Sequence, residues 1–142
     1  MSVKISFICT GNSARSQMAE GFGKYYAQKL GKDIEVYSAG SEPSGYVHPL
    51  AIKVMAEKGI DISKNKSKSL NEIPLKELDY VITLCGDAAE NCPTVPNANT
   101  QHWGLLDPAK AGGTEEQKLQ VFREIRDEIE KRVKELIESI WI

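Results

Sequence analysis

Helical and extended patterns alternate along these 142 residues, which predicts an α/β fold: one three-layer domain, residues 1–142, with a four-stranded parallel sheet flanked by helices. Three observations carry that expectation. An apolar run from Ile5 to Cys9 passes through a tight polar loop directly into a helical pattern. Two further apolar runs, Ile34 to Ser38 and Tyr80 to Leu84, are each followed by small and polar residues. The chain closes on a long amphipathic stretch, and its length suits one buried core rather than two.

The first helix is predicted over Ser16 to Leu30, from Met18, Ala19, Phe22, Tyr26 and Leu30 at helical spacing, with Gly31 as its terminator. Gly21 and Gly23 weaken this helix and predict a close approach to the sheet. Ile34 to Ser38 alternates like a second strand, and Ala39 to Gly45 is a dense turn cluster. Pro49 opens a second helix with Leu50, Ala51, Val54 and Met55 as its apolar stripe, closed by Lys58-Gly59. The alternate lysines between Ser63 and Ser69 predict a solvated loop, and a short helical turn is expected around Asn71 to Leu78. Tyr80 to Leu84 is the third strand and delivers Cys85 to its end. A weak fourth strand around Gln101 to Trp103 leads to Asp107. The capping box Thr114-Glu115-Glu116-Gln117 then starts the last helix, whose Leu119, Phe122, Ile125, Ile129, Val133, Leu136 and Ile140 recur every three or four positions.

Composition narrows the partners. A formal net charge of −2 offers no general attraction to nucleic acid or to an anionic membrane, so any anion must be held by local geometry and the substrate should be small. The N-terminus has no signal-peptide apolar region and no run approaches a membrane span, which predicts a cytoplasmic monomer. Three cysteines fit no secreted disulfide framework; in a reducing compartment they point to redox, metal or nucleophile chemistry.

The chemistry concentrates in Cys9-Thr10-Gly11-Asn12-Ser13-Ala14-Arg15-Ser16. An oxyanion in this loop would meet successive backbone N–H groups, the positive end of the following helix and the Arg15 guanidinium. The same field favours the thiolate of Cys9, and Ser16 is placed to donate a hydrogen bond to it. Gly11 and Asn12 are expected to supply left-handed conformations that turn the amides inward. Ligands of parallel sheets bind beyond the carboxyl ends of the strands, where the strand order reverses. Cys9, Cys85 and Asp107 each follow a predicted strand, so both thiols are expected to face one crevice. Asp107 becomes a candidate general acid, although Asp-Pro is also a common turn pair.

Cys85 and Cys92 stand seven positions apart, with small and polar residues between them. As zinc ligands they are poorly spaced and lack partners, so no metal is expected there. Two unrelated buried thiols and a transient disulfide both remain open, the latter allowed by Gly86 and the flexible segment around it. His48 and His102 have no paired spacing and read as ordinary loop or surface residues.

The Cys9-to-Ser16 loop resembles the C-x5-R-S loop of low-molecular-weight protein tyrosine phosphatases. Over nearly the whole chain the likeness is to thioredoxin-coupled arsenate reductases of that fold, through Tyr37-Ser38-Ala39-Gly40, Val81-Ile82-Thr83-Leu84-Cys85, Asn91-Cys92-Pro93, His102-Trp103-Gly104 and Asp107-Pro108-Ala109. The resemblance implies that Cys9 attacks arsenate while Asp107 protonates the departing oxygen, and that Arg15 and the amides of residues 10–16 hold the adduct. Cys85 then takes Cys9 into a disulfide, arsenite leaves, and Cys92 moves the bond to the 85–92 pair. No tightly bound cofactor is implied; external thioredoxin supplies the electrons, and the role is arsenic detoxification. Position 14 is Ala where many relatives carry a further cysteine. Asn12, Glu20 and Ser38 match the ligands of a weak potassium site in some members, but Lys68 stands where an acidic ligand is expected, so little potassium dependence is predicted. The alternatives are a phosphatase acting on phosphotyrosine or small phosphomonoesters, which needs only Cys9, Arg15 and Asp107, and a non-catalytic module binding an oxyanion or a partner through the same loop.

Overall fold

The computed structural model describes residues 2–85 and 98–141. Their elements run β1 (Val3–Cys9), α1 (Arg15–Lys29), β2 (Ile34–Gly40), α2 (Pro49–Ala56), β3 (Tyr80–Cys85), β4 (Asn99–Leu105) and α3 (Glu115–Ser139), with 3-10 turns at Leu70–Glu72, Leu75–Glu77 and Pro108–Lys110. The four strands form one parallel sheet in the order β2-β1-β3-β4. The chain leaves β1 toward β2 on one side and places the later strands on the other, so the order reverses at the carboxyl end of β1. Cys9 occupies that point.

One face of the sheet, carrying Ile5, Phe7, Ile82 and Leu84, packs against Met18 and Phe22 of α1, Val54 and Met55 of α2, and Phe122, Ile129 and Val133 of α3. The opposite face, carrying Ile8, Ala39 and Val81, is closed among the described residues by Ile73 and Leu78. The three α-helices therefore share one face. Strands buried on both sides read as continuous apolar runs, which is why β1 and β3 stand out in the sequence.

The helix ends follow local chemistry. Gly31 takes φ 66° after α1. The capping box of α3 closes reciprocally: Thr114 Oγ1 accepts from the Gln117 N–H at 3.2 Å, and Gln117 Oε1 accepts from the Thr114 N–H at 2.9 Å. A Cβ on Gly23 would come 2.9 Å from Val36 and 3.2 Å from Phe7, the expected close approach to the sheet. Gly21 instead makes room for Met55 of α2 and for Ile62, each 2.9 Å from such a Cβ.

Three expectations are revised. The single helical turn at 71–78 is two 3-10 turns parted by Ile73 and Pro74, because proline lacks a donor and forces Ile73 into an extended conformation. The lysine-rich segment is more than a solvated loop. The Lys68 N–H donates to Asn12 Oδ1 at 2.7 Å and its carbonyl accepts from the Gly40 N–H at 2.8 Å, so the main chain here forms a wall of the Cys9 loop. β4 spans seven residues rather than three; it is an edge strand, and exposure on one side lets it carry Asn, Thr, Gln and His. No helix among the described residues is long and apolar enough to cross a membrane.

Candidate active site

β1 ends at Cys9, which is 2% exposed, with Sγ 2.9 Å from Ser16 Oγ in the first turn of α1. Between them the loop turns its carbonyls away from its centre. The Thr10, Gly11 and Ser13 carbonyls accept from the N–H groups of Glu42, Ser44 and His48, each at 2.9 Å, and the Asn12 carbonyl accepts from Gln17 Nε2 at 3.1 Å. In a trans peptide the next N–H points opposite to the carbonyl. The amides of Gly11, Asn12, Ser13 and Ala14 are thereby aimed to the other side, the arrangement an oxyanion needs.

Asn12, not Gly11, supplies the left-handed turn. It is the one non-glycine residue with positive φ (46°) among the described residues, while Gly11 lies outside that region. The Asn12 side chain explains its tolerance: Oδ1 accepts from Gln17 Nε2 at 3.0 Å and from the Lys68 N–H, and Nδ2 donates to Ser16 Oγ at 2.8 Å and Ser38 Oγ at 2.9 Å. The end of β2 approaches so closely that a Cβ on Gly40 would overlap the Thr10 carbonyl oxygen and lie 2.9 Å from Asn12 N.

Arg15 is buried at the start of α1. Its Nη1 donates to the Leu84 carbonyl at 3.1 Å and the Leu105 carbonyl at 2.9 Å, the ends of β3 and β4. Its Nη2 lies 3.8 Å from Asp107 Oδ2. Asp107 caps the turn that follows through the Ala109 N–H at 3.0 Å, which holds its carboxyl at the mouth. Cys9, Gly11, Ser13, Ala14, Arg15, Asp107 and Ala109 line a cavity of about 40 Å³. A wider concavity of about 470 Å³ between β4 and α3 is lined by mixed charges and holds no cysteine.

The Cys9 thiol, the loop, the Arg15 guanidinium and the Asp107 carboxyl thus converge. Cys85, buried at the end of β3, follows Leu84, whose carbonyl accepts from Arg15. β3 pairs with β1 so that Phe7 faces Ile82 and Ile8 faces Thr83. The β3–β4 register shifts between Thr83 and Cys85, and Cys85 pairs with Leu105, a residue of the same core cluster as Cys9, Ile82 and Leu84. Its sulfur is disulfide-bonded, whereas Cys9 is a free thiol. The two cysteines stand at adjacent ends of β1 and β3. Cys92 and Gly86 lie outside the described residues.

Asn12, Ser38 and Glu20 form one hydrogen-bonded chain. Ser38 donates to Glu20 Oε1, which lies 3.5 Å from Lys68 Nζ, and Glu20 Oε2 lies 2.8 Å from Lys24 Nζ. The buried carboxylate already meets two ammonium groups. No cluster of three or more His, Cys, Asp or Glu able to hold a metal ion occurs among the described residues.

Gln17, Gly40 and His48 support the loop without having been read as site residues. Gln17 looks like an exposed helix residue yet is fully buried, and nothing local signals it. His48 stands directly before Pro49, a position that marks an N-cap, and its Nδ1 accepts from the Leu50 N–H at 3.1 Å. Burial pushes its proton affinity below the usual histidine range, the Asp107 carboxylate pulls it back up and the Lys118 ammonium lowers it.

A phosphate-binding type of loop at the switch point of a parallel sheet, with a thiol at its first position, defines the class: residues 4–141 match the low molecular weight phosphotyrosine protein phosphatases, and the chain belongs to that family. Within it the similarity is to arsenate reductases. The arsenate reductase of Halalkalibacterium halodurans is 54% identical over 136 residues, covering 95% of each chain. A solved arsenate reductase in the phosphate binding state superimposes with a TM-score of 0.80 at 38% identity, over 98% of this chain and 99% of that one. The thioredoxin-dependent arsenate reductase of Corynebacterium glutamicum gives a TM-score of 0.73 at 34% identity, over 97% of this chain and 61% of that one.

Proposed function

We propose that this chain reduces arsenate to arsenite, with Cys9 as nucleophile and thioredoxin as the external reductant. The observation that carries the reading is the free, buried Cys9 thiol at the base of a loop whose amides converge opposite their outward-bonded carbonyls, beside Arg15 and Asp107. Arsenate has the shape and charge such a loop fits. Cys9 displaces one arsenate oxygen, which leaves as water with a proton from Asp107, and an S–As bond forms. Cys85 attacks the Cys9 sulfur; the S–As electron pair stays on arsenic, which departs as arsenite, and the two thiols have lost two electrons to it. Cys92 then attacks Cys85 and frees Cys9. The disulfide at Cys85 and the free Cys9 are the pattern expected after that transfer.

The test is a single turnover: reduced, desalted protein with excess arsenate and no external reductant, counting arsenite and mapping disulfides. About one arsenite per chain with a Cys85–Cys92 bond is expected from the two-thiol stoichiometry. No arsenite with all thiols still reduced overturns the reading and favours phosphomonoester hydrolysis by the same loop.

A further inference from the structure

His48 joins three parts of the site. Its main-chain N–H donates to the Ser13 carbonyl at 2.9 Å, its Nδ1 caps α2 through the Leu50 N–H at 3.1 Å, and its ring lies on Phe122 of α3 with centroids 4.8 Å apart. We infer that His48 is a positioning residue for the oxyanion loop that works only as the neutral imidazole, anchoring the 41–48 segment between α2 and α3 so that its N–H holds the Ser13 carbonyl outward. The inference rests on the loop reading proposed above.

The cap decides the tautomer. An Nδ1 that accepts carries no hydrogen, so the neutral ring's proton is on Nε2. Protonation puts a hydrogen on both nitrogens, leaves the Leu50 N–H without its acceptor and sets a positive charge against the positive end of α2. The ring must then leave its place, and the main chain that bonds Ser13 moves with it. Asp107, from the segment after β4, and Lys118, from α3, are the charged groups that face the ring; Tyr46 of the same loop lies with centroids 6.5 Å apart. Asp107 favours the imidazolium, while Lys118 and burial against Phe122 oppose it, and the opposition wins. The folded-state value is lowered, so the anchor is complete above the ordinary histidine pH of 6.5 and is lost as pH falls through the lower folded value.

The test is an NMR titration of the full chain in the His48 imidazole and the Ser13, Ala14 and Leu50 amides, with inorganic phosphate as an unreactive probe. In the wild type, His48 is expected as the Nε2–H tautomer at neutral pH. The Ala14 and Leu50 amides should follow its midpoint, and phosphate affinity should fall through that midpoint beyond the change due to phosphate's own ionisation. His48→Asn keeps an N-cap acceptor that does not titrate, so it should remove the break. His48→Ala removes the cap and should weaken phosphate roughly fivefold at neutral pH, the effect of one N-cap, with His48→Asn restoring it. An Ala14 amide indifferent to the His48 titration, or a break that persists in His48→Asn, overturns the inference. Should phosphate bind at no pH, the loop reading fails, and the amide titration still decides whether His48 positions residues 13 and 14.

Discussion

The glycine that the Cys9 loop needs most is outside it. A Cβ on Gly40 would overlap the Thr10 carbonyl oxygen and stand 2.9 Å from Asn12 N, main-chain atoms that cannot swing aside as a side chain would. Gly40 is also fastened by its own N–H to the Lys68 carbonyl at 2.8 Å, so β2 cannot retreat without breaking that bond. Overpacking of this kind costs about 1–3 kcal/mol. For a domain of this size, Gly40→Ala should therefore lower Tm by roughly 3–9 °C. Because the strain falls on the peptides that aim the loop amides, phosphate binding should weaken roughly five- to a hundredfold. Gly11→Ala is the comparison. A Cβ there meets only Ser13 Cβ, at 3.9 Å, and Gly11 lies outside the left-handed region. Thermal unfolding and phosphate titration by calorimetry read both effects. Gly40→Ala with wild-type Tm and affinity, or Gly11→Ala as the more destabilised of the two, would refute the reasoning.

Three further outcomes follow from the same geometry. Ser16→Ala removes the hydroxyl 2.9 Å from Cys9 Sγ, a charge-assisted bond once the thiolate forms, and should slow alkylation of Cys9 by iodoacetamide about tenfold at fixed pH; an unchanged rate contradicts the contact. Glu57 is held at about 2, down from 4.5, by hydrogen bonds first from Arg123 and then from Arg126. The native state binds fewer protons, so this stabilisation is present above pH 4.5 and drains as pH falls toward about 2. With 35% of the side chain exposed, screening reduces it to about 1 kcal/mol or less, so the gap between wild type and Glu57→Gln in urea unfolding should close over that window. A gap that stays constant with pH rejects it. Arsenite production should be equal in KCl and NaCl at the same ionic strength, since Lys24 and Lys68 already meet the Glu20 carboxylate; several-fold activation by potassium would contradict this.

Much of the fold was legible because its signals are local. β1 and β3 are apolar on both faces, α3 carries its capping box and stripe, and the Cys9 loop lies within eight consecutive residues. What escaped depends on distant partners. The register shift between Thr83 and Cys85 at the end of the β3–β4 ladder turns on strand pairing that no local pattern encodes. The lysine-rich segment reads as solvated because its side chains are charged, yet its main chain is what grips Asn12. Gln17 has the composition of a surface residue, and only the closure of residues 65–68 over it makes it internal.

The bonds from Arg15 to the Leu84 and Leu105 carbonyls make the guanidinium a strut between two strand ends. Leu84 is the peptide neighbour of Cys85, so any excursion of that cysteine pulls on the carbonyl that steadies the arginine. The hold on Arg15 and the position of the β3 end are then a single lever rather than two adjoining devices. By reciprocity, an anion that fixes the guanidinium also braces the end of β3 that carries Cys85.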